Sequence, residues 1–96
     1  MNVKIQSVKF DADQRLLEFI ETKMSKLERF AENVLSAEVI LKVDKDHERG
    51  NKLATIKLDL PGAELVAEQR STTFEESVDE GIAAIKKQLE KRKNKV

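Results

Sequence analysis

The side chains able to do chemistry in this sequence are almost all charged. The chain's 96 residues hold 18 Lys+Arg against 18 Asp+Glu, with one His, no Cys and a formal net charge of zero. Without cysteine there is no disulfide, thiolate metal site, cysteine nucleophile or redox role. His47, between Asp46 and Glu48, is a candidate general base. No Ser, Cys or second His stands near it in sequence to complete a nucleophilic set, so a solvated turn residue is expected. Carboxylates alternate with lysines and no metal-ligand spacing recurs. Glycines at positions 50, 62 and 81 are too scattered to build a phosphate-cradling loop. Glu75 and Glu76 are paired carboxylates, but acids are ordinary in the first turn of a helix. The sequence thus predicts no enzyme, and no catalytic residue, metal, cofactor or small-molecule substrate.

What remains is the arrangement of charge. Between positions 58 and 80, Asp59, Glu64, Glu68, Glu75, Glu76, Asp79 and Glu80 face Arg70 alone. From position 86 onward, Lys86, Lys87, Lys91, Arg92, Lys93 and Lys95 face Glu90 alone. A helix with acids first and bases last complements its own macrodipole. The same basic end is also an electrostatic footprint for a polyanion. At ~100° per residue, Lys23, Lys26, Arg15 and Arg29 fill one uninterrupted flank of a helix, while Glu18, Glu21, Glu28 and Glu32 keep to the remaining arc. Pairing at i,i+3 or i,i+4 accounts for some of this sorting, and a surface role accounts for the unbroken arc. On the last helix, Lys86 and Lys93 flank the apolar stripe and Lys87 and Lys91 point outward. Two helices packed side by side would join Lys23 and Lys26 to Lys86, Lys87, Lys91 and Lys93, with Arg29 nearby. Such a patch binds phosphates at spacings fixed by two rigid elements. The four Phe fall mostly on core stripes and Tyr and Trp are absent. Shape and phosphate contacts to folded RNA are therefore expected in preference to base stacking.

Six elements must position these residues. Asn2–Val8 alternates weakly and predicts a short strand. Asp13 is the expected N-cap of a helix over 14–32, where Leu16, Phe19, Ile20, Leu27 and Phe30 recur at three- and four-residue spacings and Leu17 and Met24 widen the stripe. Residues 37–44 read as a strand with Val39, Leu41 and Val43 on one face, followed by a polar turn over 46–51. Residues 52–60 alternate, with Ala54, Ile56, Leu58 and Leu60 on one face and Thr55, Lys57 and Asp59 on the other. Pro61-Gly62 suits a type II turn, proline presetting φ and glycine taking the positive φ. A strand over 63–70 follows. Thr73 and Glu76 form a capping box that opens a second helix. Its stripe of Phe74, Val78, Ile82, Ile85 and Leu89 continues to the basic end, with Gly81 permitting close helix–sheet packing.

The order predicts an α+β domain in two layers, β-α-β-β-β-α, with a four-stranded sheet and both helices on one face. The first strand–helix–strand unit should be a parallel, right-handed crossover, and the later strands antiparallel hairpins. The other sheet face, carrying Thr55 and Lys57, should be open. Length and the absence of any internal repeat or linker predict one domain over 1–96. No signal peptide and no apolar run near ~20 residues is present, so a cytoplasmic protein without membrane contact is expected.

Three segments carry a resemblance: Leu16-Leu17-Glu18-Phe19-Ile20-Glu21-Thr22-Lys23-Met24-Ser25-Lys26-Leu27-Glu28-Arg29-Phe30, the strand Val39-Ile40-Leu41-Lys42-Val43-Asp44-Lys45, and the last helix with Val78-Asp79 and Lys87-Gln88-Leu89-Glu90-Lys91-Arg92-Lys93-Asn94-Lys95. Together they resemble the ribosome hibernation promoting factor family, which includes ribosome-associated inhibitors of stationary-phase bacteria. The resemblance runs over nearly the whole chain. It implies the β-α-β-β-β-α fold, similar to double-stranded-RNA-binding domains. It also implies binding to ribosomal RNA in the decoding region of the small ribosomal subunit, over the messenger and transfer RNA sites, where the factor blocks translation and shelters idle ribosomes under stress. By matching position, the RNA-facing bases it implies are Lys23, Lys26, Lys87, Lys91, Lys93 and Lys95; Arg29 and Lys86 are added from the helix geometry. In the family an aromatic often follows an apolar residue early in the last helix, whereas here Glu75 follows Phe74. With the sequence running to Val96, the linker and C-terminal dimerisation domain of the long form are expected to be absent, as is the extension by which some inhibitors discourage ribosome pairing. It resembles the short form, which in some bacteria works with a separate ribosome modulation factor. Two other expectations stay open: a general double-stranded-RNA binder, which a net charge of zero disfavours, and a protein-interaction module using the open sheet face.

Overall fold

The computed structural model describes residues 2–31, 33–45, 48 and 50–93. The elements follow in the order β1 (Asn2–Val8), α1 (Gln14–Phe30), β2 (Ser36–Val43), β3 (Lys52–Leu60), β4 (Ala63–Ser71) and α2 (Phe74–Lys93). They build the expected α+β sandwich, a four-stranded sheet in the order β1-β2-β3-β4. β1 pairs parallel with β2, while β2–β3 and β3–β4 are antiparallel.

Register follows from which face each strand must bury. A one-residue slip would send a strand's apolar set to the wrong side. Val3, Ala37, Leu58 and Leu65 align in one row across all four strands, and Ile5, Val39, Ile56 and Ala67 in another. Both rows join the apolar stripes of α1 (Leu16, Ile20, Met24, Leu27) and α2 (Phe74, Val78, Ile82, Ile85, Leu89) in a single core, which puts both helices on the same face. The opposite face is open and mixed in charge, with rows such as Lys4, Glu38, Lys57 and Val66.

Local chemistry sets the element ends. The Asp13 carboxylate accepts the Leu16 N–H at 2.8 Å, as an N-cap should. The Thr73 hydroxyl accepts the Glu76 N–H at 3.1 Å, one half of the expected capping box. Gly62 takes φ 77, the conformation its turn requires. Gly81 lets α2 lie against β3: a Cβ there would stand 2.8 Å from Ile56 Cδ1. Ser77, fully buried in the same face of α2, has its hydroxyl 2.7 Å from the Lys52 carbonyl. That bond ties the start of α2 to the start of β3.

Helix α1 stops at Phe30, short of the expected end at Glu32. Ala31 is already extended (φ −117), its N–H closes the last turn on the Leu27 carbonyl, and Asn33 takes φ 64. Asn tolerates that left-handed conformation better than most residues, so the chain turns there toward β2. β2 begins one residue earlier than expected and ends at Val43, and β4 runs to Ser71. Glu32 and the turn residues Asp46, His47 and Arg49 lie outside the described residues.

Candidate nucleic-acid interface

The helices run side by side in the same direction. Lys23 of α1 meets Asp79 of α2 at 3.2 Å, and further along the Lys86 ammonium lies 5.6 Å from the centre of the Phe30 ring. Seven residues forward on one helix match seven on the other. The direction follows from topology: β1 and β4 each deliver the chain into a helix at the same end of the sheet. The C-terminal ends of α1 and α2 therefore point the same way. Beyond the level of Phe30, α2 continues for seven residues, about 10 Å at 1.5 Å per residue.

This parallel arrangement sorts charge along the helical layer. Toward the C-terminal end, Lys26 and Arg29 on α1 and Lys87, Lys91 and Arg92 on α2 are all exposed. Arg29 in the last turn of α1, and Lys91 and Arg92 in the last turn of α2, complement the negative ends of the helix dipoles. Of the expected patch, Lys26 of α1 and Lys87 and Lys91 of α2 stand exposed toward the same end of the layer, with Arg29 beside them on α1. Arg92 belongs to the same end; its place in the basic run was the available signal. Arg15 does not. It shares the basic arc of α1 in projection, yet lies two turns before Lys23, beside Asp11, Asp13 and Glu75. The Lys93 side chain and Lys95 lie outside the described residues.

Two lysines expected in the patch occupy the seam between the helices. The Lys23 side chain is 34% exposed, and besides Asp79 its ammonium lies 5.4 Å from the Phe19 ring centre. Lys86, half-buried, covers Phe30. Phe19 and Phe30 are therefore partly buried rings roofed by ammonium groups. At the other end, Phe10 and Phe74 stack at 4.9 Å with an interplanar angle of 4°. No aromatic ring is left as a stacking platform among the described residues, so this layer offers charge and shape rather than a stacking surface.

The open sheet face is of a different kind. Two polar contacts cross it: Thr55 donates to Glu68 at 3.0 Å, and Arg70 bridges to Asp44, just past β2, at 2.7 Å. Its β4 edge is partly occupied, since the Gln88 amide of α2 donates to the Val66 carbonyl at 3.0 Å. Among the described residues no group of three or more His, Asp or Glu is placed to hold a metal ion, and no helix is long and apolar enough to cross a membrane.

A family model described as Sigma 54 modulation protein / S30EA ribosomal protein matches residues 3–96. The chain belongs to that family. Among curated relatives, the "Ribosome hibernation promoting factor" of Azotobacter vinelandii is 30% identical over 95 residues, covering 99% of this chain and 85% of the relative. The "Ribosome hibernation promotion factor" of Deinococcus radiodurans is 26% identical over 87 residues, covering 88% of this chain; the match spans about half (45%) of that longer relative. Two solved structures share the fold. A ribosomal subunit interface protein from Coxiella burnetii superposes with a TM-score of 0.86 at 21% identity, covering 99% of this chain and 100% of that one. The N-terminal domain of Thermus thermophilus Protein Y gives 0.79 at 22% identity, covering 95% of this chain and 98% of that one. The expected family and the expected fold both stand.

Proposed function

We propose that this S30EA-family chain is a bacterial ribosome hibernation factor. Its basic helix ends engage ribosomal RNA of the small subunit in the decoding region, over the messenger and transfer RNA sites. Occupying those sites blocks translation and preserves idle ribosomes in stress or stationary phase. Residues 1–96 act in this reading as one ribosome-binding domain working in the cytoplasm, by binding and without catalysis. Pairing of ribosomes, with or without a separate modulation factor, is a further step open to the same protein.

One observation carries the reading: the parallel helices point their C-terminal ends the same way and hold Lys26, Arg29, Lys87, Lys91 and Arg92 exposed toward that end of a protein with no net charge. Several phosphates can be neutralised there at once, which makes binding strong at low salt and steeply salt-dependent. The zero net charge keeps the remainder of the surface from binding RNA indiscriminately. The names of the Azotobacter and Deinococcus relatives point to the same partner.

Chemical probing of ribosomal RNA in vacant small subunits tests the location. The expected result is protection of decoding-region nucleotides by the wild-type protein, loss of that protection with Lys87→Glu/Lys91→Glu, and displacement of the protein by messenger with transfer RNA. Protection confined to another region, or equal competition by naked duplex RNA, would overturn it. The second of those outcomes would favour a general duplex binder.

A further inference from the structure

We propose that Lys23, whose charge and position suit a phosphate ligand, is instead a positioning residue: with Asp79 it clamps α1 to α2 and so sets the spacing of the bases that do meet phosphate. The inference rests on the ribosome reading and sharpens it by dividing the basic residues into two roles.

The geometry separates Lys23 from its neighbours. Its ammonium has an opposite charge at 3.2 Å on the facing helix and an aromatic face at 5.4 Å on its own. Carboxylate and ring together satisfy much of what a phosphate would offer. Two-thirds of its side chain is covered, against about half for Asp79 (34% and 50% exposed). To reach a phosphate, Lys23 would have to leave Asp79 unpaired beside an incoming polyanion, and the freed carboxylate would repel what the lysine had just bound. Lys26, Arg29, Lys87 and Lys91 are exposed and face no such exchange.

A phosphate-binding surface on two helices works only if their separation is fixed, because phosphate spacing on folded RNA is fixed too. Sheet packing holds each helix from below. The Lys23–Asp79 pair ties them on the outer side, one turn before the exposed bases begin with Lys26. Asp79 thereby acquires a role despite being an acid beside a surface built for a polyanion.

The experiment is a binding cycle on vacant small subunits, measured as affinity against salt for wild type, Lys23→Gln, Lys23→Gln/Asp79→Asn and Lys87→Gln. For a phosphate ligand, such as Lys87, removal should flatten the slope of log affinity against log salt by roughly one unit. For the clamp, Lys23→Gln should weaken binding by about fivefold, because the helix spacing is no longer held, with no comparable flattening of the slope. The double variant lacks the same pair and should be as weak as Lys23→Gln. A slope flattened by about one unit in Lys23→Gln would overturn the proposal and make Lys23 a phosphate ligand. Recovery of the double variant to within about twofold of wild type would overturn it by reducing the pair to local charge balance. Thermal unfolding of the same variants with Asp79→Asn completes the cycle. The two single losses should exceed the loss in the double variant when summed; strict additivity would likewise overturn the clamp. Failure of wild type to bind at low salt would overturn the ribosome reading itself, a result distinct from either of these.

Discussion

The two ends of the helical layer are made by the same pair of helices, yet they are put together on opposite principles. At the N-terminal end, charge is used locally. Asp13 caps α1, Thr73 caps α2, and Glu75 and Glu76 sit in the first turn of α2 where the helix dipole favours them. Beneath them the stacked Phe10 and Phe74 close the core, with the Lys52 ammonium 5.8 Å from the Phe74 ring centre. Asp13 and Thr73 there hydrogen-bond backbone within the protein. At the C-terminal end, bases accumulate past the last turn of α1 on a stretch of α2 that projects beyond it. The lesson is that a net charge of zero conceals an axial separation of charge, with bases gathered at one end and acids at the other.

Four variants break or sharpen that contrast. Phe74→Ala removes a ring only 8% exposed and its stacking partner's support, and should cost about 3 kcal/mol in denaturant unfolding. The folded fraction should keep its ribosome affinity, because the loss falls at the internally satisfied end. Lys87→Glu/Lys91→Glu should do the reverse. Ribosome affinity falls about 100-fold at moderate salt, while the unfolding midpoint moves little, since both side chains are exposed. If either variant produced the other's phenotype, the division of labour between the ends would be wrong. Ser77→Ala leaves the part-buried Lys52 carbonyl without its hydroxyl partner and should cost about 1 kcal/mol, read from the shift in denaturant midpoint. Glu75→Gln/Glu76→Gln should lower stability by a few tenths of a kcal/mol, about the size of the dipole effect at an exposed helix start. Its ribosome affinity should be unchanged, or raised slightly at low salt.

Faces were legible in the sequence, and axial placement was not. Alternation along β2 and β3 and the stripes of α1 and α2 mark what is buried, and they hold because a sheet or helix with one apolar side has few ways to cover it. Asp13 and Gly62 were equally clear, since each answers to local backbone chemistry alone. Arg15 shows the limit. In projection it shares an arc with Lys26 and Arg29, but a helical wheel discards distance along the axis, and that distance puts it among acids. The Lys23–Asp79 pair was hidden for a related reason: it depends on how far one helix is shifted along the other, which the sheet fixes. The end of α1 eluded periodicity because Glu32 fits the pattern, whereas the turn depends on the extended Ala31 and the left-handed Asn33.

The most direct test of the central claim, that the shared helix end is the ribosome-binding surface, is co-sedimentation with vacant ribosomes through a sucrose gradient at low and moderate salt. Wild type, Lys26→Glu/Arg29→Glu and Lys87→Glu/Lys91→Glu would run side by side, with ribosome pairing read from the same profiles. The account predicts that wild type travels with the small subunit at low salt and less so at moderate salt, while both variants stay at the top. Wild-type protein remaining at the top at low salt, or variants that travel undiminished, would contradict it.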